Sequence, residues 1–282
     1  MKNYHFTLAG LRTVLRTPHE IAISENLRPF LCQPHREADC TIQLRACETL
    51  PRFSEQGAWH GLEYHDCPGG SMRIFHCHAP KTQPFAVTQL SENGNVEICT
   101  LPQCLSYFTG TAGIFNRIGM ETLLLQHNSL LLHASLIKYG GKALAFSGPS
   151  GVGKSTQAEI WRTCLGADIL NGDRAILRKD ADRWTAYGSP YAGTSGIYRN
   201  DSATLTAIVV LQQANENCLT PLTPSEAFRH LYPELSVHHW QATFVEKATD
   251  LCLQLLTDTP VYLLKCRPEE SAALLLQKGL GL

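Results

Sequence analysis

The chain has 282 residues, 44% of them hydrophobic, and its 24 lysines and arginines nearly balance its 25 aspartates and glutamates. This length and apolar content can bury one large core or two smaller ones, which excludes a disordered protein. Because the formal net charge is only −1, no long-range field favours nucleic acid or a membrane as a partner, and any bound anion must be held by a local site.

The N-terminal residues and the cysteines indicate the compartment. The opening stretch MKNYHFTLAGLRTVLR lacks the apolar segment of a signal peptide, and no later run approaches the roughly 18 apolar residues of a membrane span. The 11 cysteines are odd in number and scattered, without a CxxC pair, which argues against a disulfide framework and a zinc ribbon. We therefore expect a cytoplasmic protein with reduced, mostly structural thiols.

The N-terminal part of the chain, residues 1–110, is predicted to be a small β-rich module. The Asn93-Gly94 pair between two apolar runs is a strong hairpin signal. The short predicted strands are ADCTIQLRAC, WHGLEYHDC, SMRIFHCHA, PFAVTQL and VEICTL.

Four residues of this module have metal-ligand chemistry, namely Cys67, His76, Cys77 and His78. In a strand, His76 and His78 point to one face and Cys77 to the other, so the three consecutive residues cannot chelate one ion together. An ordinary strand is the favoured interpretation, and a metal site that uses Cys67, His76 and His78 is the alternative.

A second domain, residues 111–282, is predicted to follow. Apolar residues at helical spacing predict a helix over residues 112–127. After it we expect a hairpin, a loop, a helix, further strands, a helix around residues 241–256, the strand PVYLLKC and a last helix with Pro268 in its first turn.

The stretch GPSGVGKS fits the pattern G-x-x-x-x-G-K-[ST] in full, and it lies between the apolar stretch ALAFS and the helical stretch TQAEIWRTCL. Such a loop points successive backbone N–H groups inward at the positive end of a helix, so it holds a polyphosphate mostly by main chain. Lys154 is expected on the β- and γ-phosphates of ATP and Ser155 on Mg²⁺. The predicted nucleotide site comprises Gly148, Pro149, Ser150, Gly151, Val152, Gly153, Lys154, Ser155 and Thr156.

The strand before this loop is predicted to have an antiparallel partner. The run Tyr139-Gly140-Gly141-Lys142 suits a two-residue hairpin turn with positive φ. If Tyr139 faces Lys142, the register places His133 opposite Gly148, where an imidazole can stabilise or relay charge. A histidine with a purely structural role in the core is the alternative.

Two further segments carry candidate catalytic chemistry. Asp173 follows a short predicted strand, where a carboxylate can bind Mg²⁺ or take the proton of an acceptor hydroxyl; a turn aspartate or a pair with Arg174 is the alternative. A glycine- and hydroxyl-rich loop over residues 188–196 can close over an acceptor and supply a cation. Its candidate residues are Gly193, Thr194, Ser195 and Arg199.

The ordered set of His133, residues 148–155, Asp173 and the apolar strand AIVVL resembles the HPr kinase/phosphorylase-like group, whose catalytic domain shares its fold with phosphoenolpyruvate carboxykinases. The resemblance covers residues 130–275 and implies an α/β (α+β) P-loop domain with a mixed sheet. It also implies an ATP-dependent kinase, with Asp173 as base. The family's acidic pair appears here as Gly172-Asp173, and TAYGSPYAG stands where the family has Glu-x-Arg-Gly.

The expected function is therefore transfer of the γ-phosphoryl group of ATP, with Mg²⁺, to a serine-type hydroxyl of a peptide, protein or small molecule. The incomplete acidic pair favours an alternative, a nucleotide-gated binding module without phosphotransfer. Carboxykinase chemistry would need a denser cluster of metal ligands. The sequence leaves open the acceptor, the adenine contacts, reverse phosphorylase activity, the role of the N-terminal module and the oligomeric state, a homo-oligomer included.

Overall fold

A computed structural model describes residues 1–52, 58–59, 62–67, 70–76, 83–91 and 93–282. The chain folds into two compact units, Met1–Gln126 and His127–Leu282. Each contains a mixed sheet together with helices, so the structure is of the mixed α and β class that the sequence predicts. The domain boundary expected between residues 110 and 111 stays a prediction. In the part of the chain that the structure describes, no helix is both long and apolar enough to cross a membrane.

The first unit contains one sheet whose described strands are β1 (Lys2–Leu8), β2 (Leu11–Thr17), β3 (Cys40–Ala46), β4 (Ala58–Trp59), β5 (Leu62–Cys67), β6 (Gly70–His76), β7 (Pro84–Ser91) and β8 (Val96–Thr100). Their order is β1-β2-β3-β8-β7-β6-β5-β4. The pairs β2–β3 and β3–β8 are parallel and the others antiparallel.

The sequence predicts one of two hairpins in this unit and misses the other. The hairpin predicted at Asn93-Gly94 is confirmed, since β7 and β8 are antiparallel and Gly94 has φ +79°. The β1–β2 hairpin was not predicted. It turns at Ala9 and Gly10, both with positive φ, a conformation that glycine adopts readily and alanine does not.

The single helix expected over residues 112–127 is wrong. The structure has two short helices instead, α1 (Thr111–Phe115) and α2 (Met120–Gln126). Between them Gly119 has φ +69°, and a Cβ there would lie 2.5 Å from Cζ of Arg73. The guanidinium of Arg73, which donates to Glu121 at 2.9 Å, occupies the space a side chain at residue 119 would need. Two 3₁₀ helices, Glu25–Phe30 and Pro102–Phe108, complete the described elements of this unit.

The alternative metal site of Cys67, His76 and His78 lies partly outside the described residues, because neither His78 nor its neighbour Cys77 is among them. His76 ends β6. Among the described residues, no three His, Cys, Asp or Glu side chains are grouped so that they could hold a metal ion.

The second unit contains the elements β9 (Ser129–Tyr139), β10 (Lys142–Ser147), α3 (Lys154–Leu165), β11 (Asp168–Asn171), β12 (Arg174–Asp180), β13 (Arg183–Tyr187), β14 (Ser202–Gln213), β15 (Cys218–Pro221), α4 (Pro224–Leu231), α5 (Ala242–Asp258), β16 (Val261–Cys266) and α6 (Glu270–Leu280). Short 3₁₀ helices lie at Gly193–Ser195 and Tyr232–Glu234. The closing helix, strand and helix agree with the sequence. Pro268, however, precedes the N-cap residue Glu269 and so lies just outside the first turn.

The sheet of this unit is mixed and partly closed. Strand β10 pairs antiparallel with β9 and parallel with β14, and β14 pairs parallel with β16. The antiparallel pairs β9–β12, β12–β13 and β13–β14 complete a circuit of five strands. Strand β11 runs along the same edge of β9 as β12. The end of β10 therefore has β9 on one side and β14 on the other.

Helix α3 is anchored in the core of this unit. Its Trp161 is fully buried and packs edge-on against Tyr139, with ring centroids 5.4 Å apart, and near Phe146 of β10. Full burial of such a side chain contributes several kcal/mol at about 25 cal/mol per Å² of apolar surface. This packing fixes the start of α3 relative to the end of β10, and hence the loop between them.

Candidate active site

The segment between β10 and α3, residues 148–153, has the conformation of a phosphate-binding loop. Gly148, Gly151 and Gly153 have φ of +139°, +80° and +115°, values that side-chain-bearing residues rarely adopt. Gly153 caps the start of α3, and no side chain caps that helix. The first N–H groups of α3 therefore lack a helical or capping partner, which suits an anion. This geometry fits a polyphosphate, and ATP binding itself stays a prediction.

Lys154 opens α3 and lies beneath the loop. Its side chain is buried, and Nζ donates to the carbonyl oxygens of Gly148 at 2.7 Å and Pro149 at 3.1 Å. Burial lowers the pKa of Lys154, while the carboxylates of Glu234 and Asp173 act in the opposite direction. The ammonium group thus lies in the field of two acids.

The predicted hairpin register is confirmed. Gly140 and Gly141 have φ of +53° and +77°, the two positive values of a type I′ turn. Tyr139 faces Lys142, and the ladder continues to Ala134 opposite Ser147. His133 is the next residue along, and its carbonyl accepts from the Ser147 hydroxyl at 3.0 Å. The imidazole therefore stands beside the start of the phosphate loop.

The turn between β11 and β12 directs Asp173 towards this histidine. The side-chain oxygen of the fully buried Asn171 accepts from the backbone N–H groups of Asp173 at 2.8 Å and Arg174 at 2.6 Å. The Asp173 carbonyl accepts from the Ala134 N–H, which ties the turn to β9. Oδ1 of Asp173 lies 3.5 Å from Nε2 of His133.

Glu234 completes the cluster, and sequence reasoning missed it. Its Oε2 lies 2.8 Å from Nδ1 of His133, and its side chain is only 13% exposed. Glu234 ends a 3₁₀ helix 101 residues away in the chain, in a stretch without a recognisable motif. No local signal could have found it. The imidazole of His133 is therefore held between two carboxylates.

Arg174 is a cation at the same site that the sequence suggested only as a partner of Asp173. It faces His133 across the β9–β12 pair. Its Nε lies 3.8 Å from Oδ2 of Asp173, and Nη1 donates to the Ser236 hydroxyl at 2.5 Å. The side chain of Arg174 is 41% exposed, so it remains accessible to an anionic group.

The glycine- and hydroxyl-rich loop packs directly on Asp173. A Cβ at Gly193 would lie 2.7 Å from Cβ and Cγ of Asp173, and a Cβ at Gly172 would collide with the side chain of Ser195. The Ser195 hydroxyl is already engaged, since it donates to the Ala192 carbonyl at 2.6 Å. The structure thus brings Gly193 to the candidate base and Ser195 to the neighbouring Gly172, with Thr194 exposed between them. A side chain at residue 172 would need the space that Ser195 occupies.

Arg199 is not among the side chains brought to Asp173 by these contacts. Its Nη1 pairs with Oδ1 of Asp168 at 2.8 Å, at the start of β11, where both side chains are exposed. The suggested role of Arg199 as a phosphoryl-binding cation stays a prediction, and this pairing does not support it.

The residues suggested for Mg²⁺ are Ser155, exposed in the first turn of α3, and Asp173, whose side chain is 31% exposed. Both offer the oxygen ligands that Mg²⁺ prefers, and proteins commonly hold this ion by one or two carboxylates together with substrate phosphates and water. The donor set therefore fits Mg²⁺ bound jointly with a nucleotide.

No protein-family model matches the chain, and no curated protein is a significant match. Among solved structures, the chain is similar to the HPr(Ser) kinase/phosphatase from Coxiella burnetii, with 10% sequence identity and a TM-score of 0.33. The likeness covers 54% of this chain and 97% of that chain. This is a distant structural relationship only, so a function has to be argued from the geometry of the site.

Proposed function

We propose that the chain is an ATP-dependent kinase that transfers the γ-phosphoryl group to a serine-type hydroxyl of a peptide, protein or small molecule. The observation that carries this proposal is the convergence of a phosphate loop and a candidate base. Lys154 lies in the field of Asp173 and Glu234, and Asp173 lies 3.5 Å from His133, which stands beside the loop.

The phosphate loop and its lysine have the first role. The backbone N–H groups at the start of α3 bind the β- and γ-phosphates, and Lys154 exchanges its contacts with the Gly148 and Pro149 carbonyls for phosphate oxygens. In phosphoryl transfer, catalysis is mainly positioning and stabilisation of negative charge spread over the transferred group. Mg²⁺ held by Ser155 and Asp173 would neutralise part of that charge.

Asp173 has the second role, because it is the partly exposed carboxylate at the end of the site where the glycine- and hydroxyl-rich loop lies. It orients the acceptor hydroxyl and accepts its proton as the oxygen attacks phosphorus. Nε2 of His133 faces the same carboxylate at 3.5 Å. Gly193 lets the loop approach Asp173 closely, so an acceptor has to enter past residues 193–195.

The test is incubation with γ-labelled ATP, Mg²⁺ and a panel of free serine, small hydroxy compounds and peptides. Wild type is expected to yield a labelled product. Asp173→Asn is expected to bind ATP normally and to form no product, because it keeps the shape of the side chain and removes the base. Glu159→Gln is the matched control, since Glu159 is an exposed carboxylate that pairs with Arg162 on α3. Normal turnover by Asp173→Asn would show that another group is the base.

One observation favours a second candidate function, a nucleotide-gated binding module. Ser195 occupies the space of a side chain at residue 172, so the site cannot gain a second carboxylate there without rearrangement. A binding module would take up ATP, change its affinity for a partner and transfer nothing to any member of the panel. The same labelled incubation therefore distinguishes the two.

A further inference from the structure

The residues that follow the 3₁₀ helix Tyr232–Glu234 form a short extended segment beside β9. Leu235 has extended backbone angles and bridges Leu132 in antiparallel fashion, and the Ser236 N–H donates to the Leu131 carbonyl at 3.0 Å. Glu234 and Ser236 lie on either side of the buried Leu235 in the chain, and the side chain of each contacts a residue of the site.

The side chains of Glu234 and Ser236 contact two different residues of the site. Glu234 reaches Nδ1 of His133 at 2.8 Å, and Ser236 accepts from Nη1 of Arg174 at 2.5 Å. His133 and Arg174 are themselves paired across β9 and β12. One segment from a distant part of the chain thus holds both side chains that flank Asp173.

We propose that residues 234–236 are the positioning segment of this site, with Glu234 acting through His133 and Ser236 through Arg174. A hydrogen bond between Nδ1 and a carboxylate fixes the orientation of an imidazole ring, and the other ring nitrogen is then directed to a defined position. Here Nε2 is directed to Oδ1 of Asp173, 3.5 Å away. The hydroxyl of Ser236 likewise fixes one arm of a guanidinium whose Nε faces the other carboxylate oxygen.

The inference rests on the proposed kinase function, and double-mutant cycles test it. Glu234→Ala is expected to lower kcat roughly 10- to 100-fold, less than the roughly 10²- to 10⁴-fold typical of losing an acid–base group itself, with KM for ATP unchanged. In a His133→Ala background, Glu234→Ala is expected to cause no further loss. If the fold-losses in kcat of Glu234→Ala and His133→Ala multiply in the double variant, the positioning role is overturned. Ser236→Ala with Arg174→Ala forms the second cycle, and Glu159→Gln is the charge control.

A merely structural role of Glu234 would give a different pattern, because stability would then fall equally with or without His133. Urea unfolding of the four proteins of the first cycle provides this comparison. Glu234→Gln, which keeps the side-chain volume, replaces the alanine variant if that variant does not fold.

A readout independent of turnover separates failure of this inference from failure of the kinase proposal. In NMR spectra, the signals of the His133 ring nitrogens are assigned by their loss in His133→Ala. They are expected to move in Glu234→Ala and to return towards their wild-type positions in Glu234→Asp. Unchanged His133 signals in Glu234→Ala would overturn the inference. An inactive wild type with the expected NMR shifts would refute only the kinase function.

Discussion

The structure allows the loss of stability caused by a side chain at residue 172 to be calculated. In Gly172→Ala, the new Cβ occupies the space of the Ser195 side chain, whose hydroxyl donates to Ala192 and accepts from the Ile197 N–H at 3.2 Å. Overpacking of this kind costs about 1–3 kcal/mol, and loss of a hydrogen bond adds about 1 kcal/mol. The smaller conformational entropy of unfolded alanine returns about 0.4–1 kcal/mol.

The net loss expected for Gly172→Ala is therefore about 2 kcal/mol, which lowers the urea midpoint by about 1 M if m is about 2 kcal/mol/M. Urea unfolding followed by tryptophan fluorescence measures it. Ser195→Gly removes the obstructing side chain, so the double variant should be as stable as Ser195→Gly alone. If the two losses simply add, or if Gly172→Ala unfolds like wild type, the two residues do not compete for one space.

Two further predictions concern a buried cation and the thiols. Lys154→Met should weaken ATP binding about 10- to 100-fold, the equivalent of about one hydrogen bond to a charged group. The substitution should not lower the free energy of unfolding at neutral pH, because burial disfavours the ammonium group and lowers the pKa of Lys154. Calorimetry measures the ATP affinity and urea unfolding measures the stability. Normal ATP affinity would contradict the proposed role of Lys154. With iodoacetamide at pH 8, the exposed Cys164 should be alkylated in the native protein. Cys252, whose pKa burial raises to about 12, should react only after unfolding, and mass spectrometry of the peptides distinguishes the two.

The features that the sequence predicts well are those specified by nearby residues. The Gly140-Gly141 turn fixes the β9–β10 register, and that register brings His133 to the phosphate loop. The loop motif likewise contains its own strand and helix context. In each case the responsible residues lie within about one supersecondary unit.

What the sequence could not reveal depends on single contacts between distant residues. Glu234 meets His133 across 101 positions of the chain, and its local sequence carries no trace of that partner. The helix expected over residues 112–127 fails for a related reason, since Arg73 from a distant strand takes the space beside Gly119. Periodicity describes one face of one element, whereas these outcomes depend on what tertiary packing places against it.

The buried amide of Asn171 has a consequence for any attempt to alter acceptor choice. Its oxygen holds the turn that bears Asp173, and its nitrogen donates to the carbonyls of Ser189 and Tyr191, each at 3.0 Å. Asp173, the proposed base, and the glycine- and hydroxyl-rich loop are thereby joined through one planar group and should shift together as a rigid body. New substrate preferences are therefore best sought at the exposed Thr194, where the loop can vary without disturbing that junction.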